Sequence, residues 1–261
     1  MESQTWRNED ERRYELEREV AEQVLVQLET HLPVLIYNSG PATSLVATAY
    51  FDTPDRKYLN LAKAGGTVSS IKVRAREYFP ISDDEERRVL NQYSHCYLER
   101  KERTGTIRNK DRVRIDKSDL NPIIRHEKHV PGASQILSDE IRTNSLAPAL
   151  VSMYERRVWG DGSDLRITLD ERIRYYQPPI RMYDDISAMT PSELGWAIAP
   201  GPKRILEVKH AAEVPVPTWL STVLAELPEA TGFSKYLDGM KALDAGGHEG
   251  INLTRPLYKL P

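Results

Sequence analysis

The sequence has one cysteine, Cys96, which leaves no intramolecular disulfide and no cysteine-built zinc cluster available. Such usage fits a reducing compartment. Long apolar runs are missing as well. Stretches such as Leu35-Ile36 and their neighbours fall far short of the roughly 20 residues that span a bilayer. The opening MESQTWRNEDERR has no apolar signal core. A cytoplasmic chain without membrane insertion is expected. No Gly-rich phosphate loop, dinucleotide fingerprint or nucleophile elbow is present. The six histidines lack metal-ligand spacing, and HEKH at 126–129 reads as a charged loop. Positive charge is not in surplus either: 36 Lys and Arg stand against 39 Asp and Glu. That balance argues against a globally basic nucleic-acid binder, though not against a local basic surface.

What is present is a chain of 261 residues, 39% hydrophobic, enough for one large domain or two small ones. Residues 19–32 carry Val20, Val24, Leu25 and Leu28 at helical spacing, and Pro33 closes that helix. Residues 45–52 read as a strand, and Thr53-Pro54-Asp55 caps a short helix through about Ala62. Segments 68–78, 95–103, 105–115, 150–159, 164–175 and 203–210 read as further strands. Helices are expected over 216–228 and 235–244. The acidic run Asp83 to Glu86 reads as a solvated turn, NPIIRHEKHVPGASQ as a connection, and the polar stretch near 177–202 as a surface excursion. Many strands with few helices between them predict an antiparallel sheet, curled or closed.

The strands alternate hydrocarbon with charge. Ile71, Val73 and Ala75 oppose Lys72, Arg74 and Arg76; Leu98 opposes Glu99 and Lys101. Val113 and Ile115 oppose Arg112 and Arg114. Leu165, Ile167 and Leu169 oppose Arg166, Thr168 and Asp170; Leu206 and Val208 oppose Glu207 and Lys209. With Arg156 added, nine cations share the charged face with Glu99, Asp170 and Glu207. An ordinary wet sheet face explains any single strand. Five in succession repel one another unless an anion sits among them. In a closed barrel this face lines the lumen, which then suits a polyanion, Arg matching phosphate oxygens with its planar fork.

The motifs YFDT (50–53), KVRAREY (72–78), LERKERTG (98–105), YERR (154–157), LRITLD (165–170), LEVK (206–209) and FSKYLDGM (233–240) occur in an order that resembles the VTC domain. That is the polyphosphate-polymerase domain of the vacuolar transporter chaperone, in the triphosphate tunnel metalloenzyme superfamily. The resemblance runs from 13 to 243, leaving 1–12 and 244–261 as terminal extensions. It implies an α+β fold: a closed eight-stranded antiparallel β-barrel decorated by helices. It also implies a metal-dependent polyphosphate polymerase that moves the terminal phosphate of a nucleoside triphosphate onto inorganic polyphosphate, with Mn2+ or Mg2+. A triphosphatase and a non-catalytic polyphosphate-binding module are the alternatives. The phosphate-gripping residues it implies are Arg74, Arg76, Lys101, Arg156, Arg166 and Lys209, with Lys72, Arg112, Arg114, Ser234 and Lys235 as further substrate contacts. Glu207 is the implied metal ligand. Family members open with a strand carrying a glutamate and then a lysine two residues on, the wider superfamily with E-x-E-x-K. Glu15-Leu16-Glu17-Arg18-Glu19 keeps both glutamates and loses the lysine, which makes Glu15 a second metal ligand and tilts the expectation slightly toward hydrolysis or an inactive binder.

Overall fold

The computed structural model describes residues 9–36, 40–65, 70–80, 94–105, 107–162, 164–179, 182, 194, 196–200 and 204–245. Asp83 to Glu86 lie outside the described residues, as does most of the 177–202 stretch. In chain order the elements are β1 (Glu9–Glu15), α1 (Arg18–His31), β2 (Thr43–Asp52), α2 (Lys57–Ala64), β3 (Ser70–Pro80), β4 (His95–Thr104), β5 (Ile107–Asp116), α3 (Lys117–Ile124), α4 (Gln135–Thr143), β6 (Ala147–Gly160), β7 (Arg166–Tyr176), β8 (Ala197–Pro200), β9 (Arg204–Ala211), α5 (Thr218–Ala225) and α6 (Lys235–Asp244). α3 runs into the first four residues of the expected connection at 121–135 and α4 begins at its last, leaving 125–134 between them as a connection, and β8 lies within the expected excursion. β1 begins upstream of the expected domain start at 13.

Alternation builds the sheet. Its strands pair antiparallel in the order β1-β9-β7-β6-β2-β3-β4-β5, with the short β8 added to β7. Hydrocarbon goes to the outer face, under the helices. Ala21, Val24 and Leu28 of α1 and Leu220 of α5 pack with Leu206, Val208 and Ile167. A second cluster gathers α2, α3, α4 and α6 over the remaining strands, around Tyr58, Leu120, Leu137 and Tyr236 with Val73, Ala75 and Leu98. Most of the charge is left to the concave side, while Glu77 and Arg100 on the outer face are paired with Lys117 of α3 and Glu140 of α4.

The sheet is a curled half-barrel. The expected full closure is absent among the described residues, since no ladder joins β1 to β5. One end of the outer edge of β1 is taken by another segment. There the Glu15 N–H donates to the Pro228 carbonyl at 3.3 Å, and Ala230 N–H donates to that of Arg13 at 2.7 Å. Backbone groups used in this way are not available to a second strand. Side chains cross the seam instead: Arg108 of β5 donates to Glu11 of β1 at 2.7 Å.

Two helix ends fix what lies along the inner face. Asp52, the carboxylate of YFDT, is buried at the end of β2 and accepts from the N–H groups of Tyr58 and Leu59 at 2.9 and 3.0 Å. A carboxylate there satisfies the orphan donors of α2 and complements its dipole. The same Asp52 accepts from the Tyr236 hydroxyl at 2.5 Å, which ties α6 to α2. Ser234 caps α6, its Oγ accepting from Leu237 N–H at 3.4 Å.

Candidate functional site

Register turns the alternation into rungs. Across β3, β4 and β5 the same-face partners are Ser70–Arg103–Arg108, Lys72–Lys101–Lys110, Arg74–Glu99–Arg112 and Arg76–Tyr97–Arg114. On the other side, β6 and β7 pair Arg156 with Asp170. β7 and β9 pair Thr168 with Glu207 and Arg166 with Lys209. β1 completes these rows by setting Arg13 opposite Glu207 and Glu11 opposite Lys209. The concave surface encloses a cavity of about 180 Å3. Beside it lies a second lobe of about 330 Å3, and Arg13, Lys72, Lys101, Phe233 and Ser234 line both.

The cavity gathers eleven of the thirteen residues singled out from the sequence. Lys72, Arg74, Arg76, Lys101, Arg112 and Arg156 line it, as do Arg166, Glu207, Lys209, Ser234 and Lys235. Arg114 and Glu15 do not. Arg114 continues the Arg112 face but lies one rung further out, exposed, with its Nη2 3.1 Å from His95 Nδ1. Glu15 is the last residue of β1, opposite Ile205 and against the 228–230 segment. Its partner in the expected motif, Glu17, is outside the strand, at the N-cap of α1. The glutamate-then-cation pair falls four residues upstream. Glu11 and Arg13 share the inner face, and 9–13 reads E-x-E-x-R. A cation two residues after a glutamate is thus present on the inner face, as Arg13.

Three carboxylates hold the cations in place. Glu99 is fully buried; Arg74 Nε donates to its Oε2 at 2.8 Å, while Lys110 and Arg112 stand 3.4 and 3.2 Å from Oε1. Burial alone would raise its pKa, but Arg74, Arg76, Lys110 and Arg112 reverse this and keep it well below the ordinary range. Asp170 takes Arg156 through two bonds, 2.5 and 2.7 Å, and Lys235 at 2.6 Å. Its pKa is likewise lowered, burial being outweighed by Arg156 and Lys235. Glu207 accepts from Arg13 Nε at 2.8 Å and lies 3.5 Å from Lys209. Against burial, Lys209, Arg13, Arg156 and Lys101 hold its carboxylate far below the usual value.

Glu11 gathers the fourth group: Lys209 at 3.3 Å, Lys101 at 3.8 Å, Arg108 across the seam, and Arg13 in a close ion pair. Cations still outnumber carboxylates here, and the lysines register the excess. Lys72 is pushed down to about 7, by burial first and then by Arg13, Arg74, Lys235 and Arg103. Lys101 falls well below its ordinary value through burial and Lys209, with Glu207 opposing. Thr168 Oγ1, on the cavity wall, is buried and finds no partner among the described residues.

Sequence reasoning passed over Arg13, Glu11, Lys110 and Arg108. Parity was the available signal for two of them, because Lys110 and Arg108 extend the Arg112–Arg114 face of β5. For Glu11 and Arg13 the signal was the E-x-E-x-R spacing itself.

Three solved structures are similar to this chain. A Hippeastrum protein, HpAC1, described as an adenylyl cyclase candidate with a dominant triphosphatase activity, is 16% identical over 89% of this chain and 94% of its own, with a TM-score of 0.49. A Bacillus halodurans protein described as a candidate adenylate cyclase is 13% identical over 84% and 88%, with a TM-score of 0.47. The PH1819 protein of Pyrococcus horikoshii is 13% identical over 91% and 99%, with a TM-score of 0.45. No curated protein matches the chain. The sequence match to the VTC domain, by contrast, spans residues 8–244 and takes in every strand from β1 to β9 and all six helices named above. The chain belongs to the VTC domain family.

Proposed function

We propose that this protein grips a nucleoside triphosphate and inorganic polyphosphate on its concave face and transfers the terminal phosphate to the chain. One observation carries the reading: arginines and lysines from β1, β3, β4, β5, β6, β7 and β9 converge on one cavity, each clamped by Glu11, Glu99, Asp170 or Glu207 or crowded by its neighbours. Phosphoryl transfer asks little covalent chemistry of a protein. It asks for alignment and for neutralisation of charge on the transferring group. Arg74 and Arg156, held rigid by buried carboxylates, meet the phosphates without reorganising. In the transfer, a terminal polyphosphate oxygen attacks the γ-phosphorus as the bond to the β-phosphate oxygen breaks. One anhydride replaces another, and nucleoside diphosphate leaves.

The adjoining lobe, lined by Arg103 and Arg108, supports a chain substrate rather than a lone triphosphate. Arg13 removes the sequence-based reason for favouring hydrolysis. Among the described residues no three acidic or histidine side chains converge on a point. Glu207 and Glu11 nonetheless fit Mg2+ or Mn2+, which take one or two carboxylates and complete their shell with phosphate oxygens and water. When bound there, such an ion supplies charge neutralisation to the transferring phosphate. Glu207 would do the holding, and Arg13 and Lys209 would orient it.

The test is incubation of the full chain with ATP and Mn2+, followed by gel separation of phosphate chains from free phosphate. Wild type is expected to make chains. Glu207→Gln keeps the shape and removes the charge, so turnover should fall by at least about 100-fold while metal-free polyphosphate binding holds or tightens. Release of free phosphate alone would replace the polymerase reading with a triphosphatase. Absence of both products, with polyphosphate still bound, would leave a binding module. Full activity in Glu207→Gln would remove Glu207 from the mechanism.

A further inference from the structure

The ladder of cations changes chemistry at one end. From Lys72–Lys101–Lys110 it passes through Arg74–Glu99–Arg112 to Arg76–Tyr97–Arg114, with Tyr78 and His95 a step beyond. There the Arg112 guanidinium carbon lies 3.6 Å above the Tyr97 ring and 5.6 Å from that of Tyr78. The two tyrosine rings meet edge to face at 6.0 Å, and His95 meets Tyr97 edge-on at 6.0 Å. Tyr78 and Arg112 line the cavity, while Tyr97 and His95 are half-buried and Arg114 is exposed, so the cluster runs from the cavity wall outward. The opposite lobe is lined by Ser70, Arg103, Arg108 and Gly65 and has no tyrosine in its wall.

Phosphates offer nothing to stack on, so a channel for polyphosphate alone gains nothing from a tyrosine pair at one mouth. Aromatic rings interleaved with arginine planes are how proteins hold nucleobases without reading their edges. Placement agrees. Same-face residues on a strand are about 6.6 Å apart, so a triphosphate gripped at Arg74 and Arg76 carries its nucleoside out toward Tyr78 and Tyr97. We infer that the Tyr78–Tyr97–Arg112 mouth stacks the base of the nucleoside triphosphate, setting the nucleotide base-outward at this end while the phosphate chain occupies the Arg103–Arg108 lobe. This rests on the triphosphate reading above. It adds a direction to the channel and a preference for nucleotides over bare triphosphates.

The test compares two probes of similar charge, ATP and methyl triphosphate, by calorimetric titration of the full chain in EDTA. The readout is the ratio of their dissociation constants, which a general loss of folded protein does not move. Wild type should bind ATP about tenfold more tightly. Tyr97→Ala should bring the ratio close to one, and Tyr97→Phe, which keeps the ring, should preserve it. A ratio of one in wild type, or a tenfold ratio surviving in Tyr97→Ala, would overturn the base site and leave the triphosphate reading standing. Failure of both probes to bind would overturn the triphosphate reading and the base site with it.

Discussion

Lys72 shows how a single side chain reports the state of the site. It donates to Ser234 Oγ at 3.0 Å and sits among cations, which with burial bring its pKa down to about 7. Lys110 is brought down to about 8, chiefly by burial, with Glu99 opposing and Arg74, Arg112 and Arg76 adding to the shift. Both values lie below the 10.5 of an ordinary lysine, so over the interval between them the unfolded chain binds protons that the folded chain has released. The two lysines therefore make the anion-free protein more stable as pH rises from about 7 toward 10.5, and their penalty is complete below 7. A bound polyanion reverses the balance by favouring the charged lysines. At pH 8 the terminal phosphate of ATP, with a second pKa near 6, is already ionised and has no proton to give up. ATP binding at pH 8 should then take up on the order of one proton, measured by calorimetry in buffers of different ionisation enthalpy. Binding with no uptake, or with release, would contradict the crowding described for Lys72.

At the scale of elements, α6 links the family motif FSKYLDGM to the cavity. Ser234 and Lys235 at its start line the site, while Gly239 faces the sheet. A Cβ at Gly239 would collide with Leu150 and come within 2.8 Å of Tyr175 Cδ1. Glycine to alanine within a helix ordinarily stabilises by about 0.5–1 kcal/mol. Here the sign should invert, with Gly239→Ala losing about 1–3 kcal/mol in urea denaturation because the helix is pushed off β6 and β7. An unchanged or raised midpoint would show that α6 docks less closely than described.

Elements were legible in the sequence where one face is hydrocarbon. Val73 and Ala75, Ile167 and Leu169, and Leu206 and Val208 mark their strands and thereby place the cations opposite them. β1 was not legible. EDERRYE has charge on both faces, Asp10 and Arg12 outside as well as Glu11 and Arg13 within, and only Tyr14 marks the apolar side. Lacking that pattern, the motif was set at Glu15, where the strand ends. α3 and α4 are eight and nine residues long, and Pro122 lies inside the first, so neither gives a sustained helical period.

At the scale of the molecule, alternation predicts a charged face but not how the sheet's two edges meet. The 228–230 segment reaches one end of the edge of β1, a contact between residues more than 200 positions apart. The result is a half-barrel with hydrocarbon outside in two clusters and an inner face crowded with cations, its seam crossed by Glu11 and Arg108. Such a surface has unfavourable self-repulsion that a polyanion relieves. Titration of inorganic tripolyphosphate into the metal-free chain, wild type against Arg74→Ala, tests this most directly. Removing Arg74 leaves Glu99 with Lys110 and Arg112, so the fold survives. The account predicts saturable one-to-one binding in wild type, weakened in Arg74→Ala by about 1.5–3 kcal/mol, the scale of a charged hydrogen bond. Absence of saturable binding, or equal affinity in the two proteins, would contradict it.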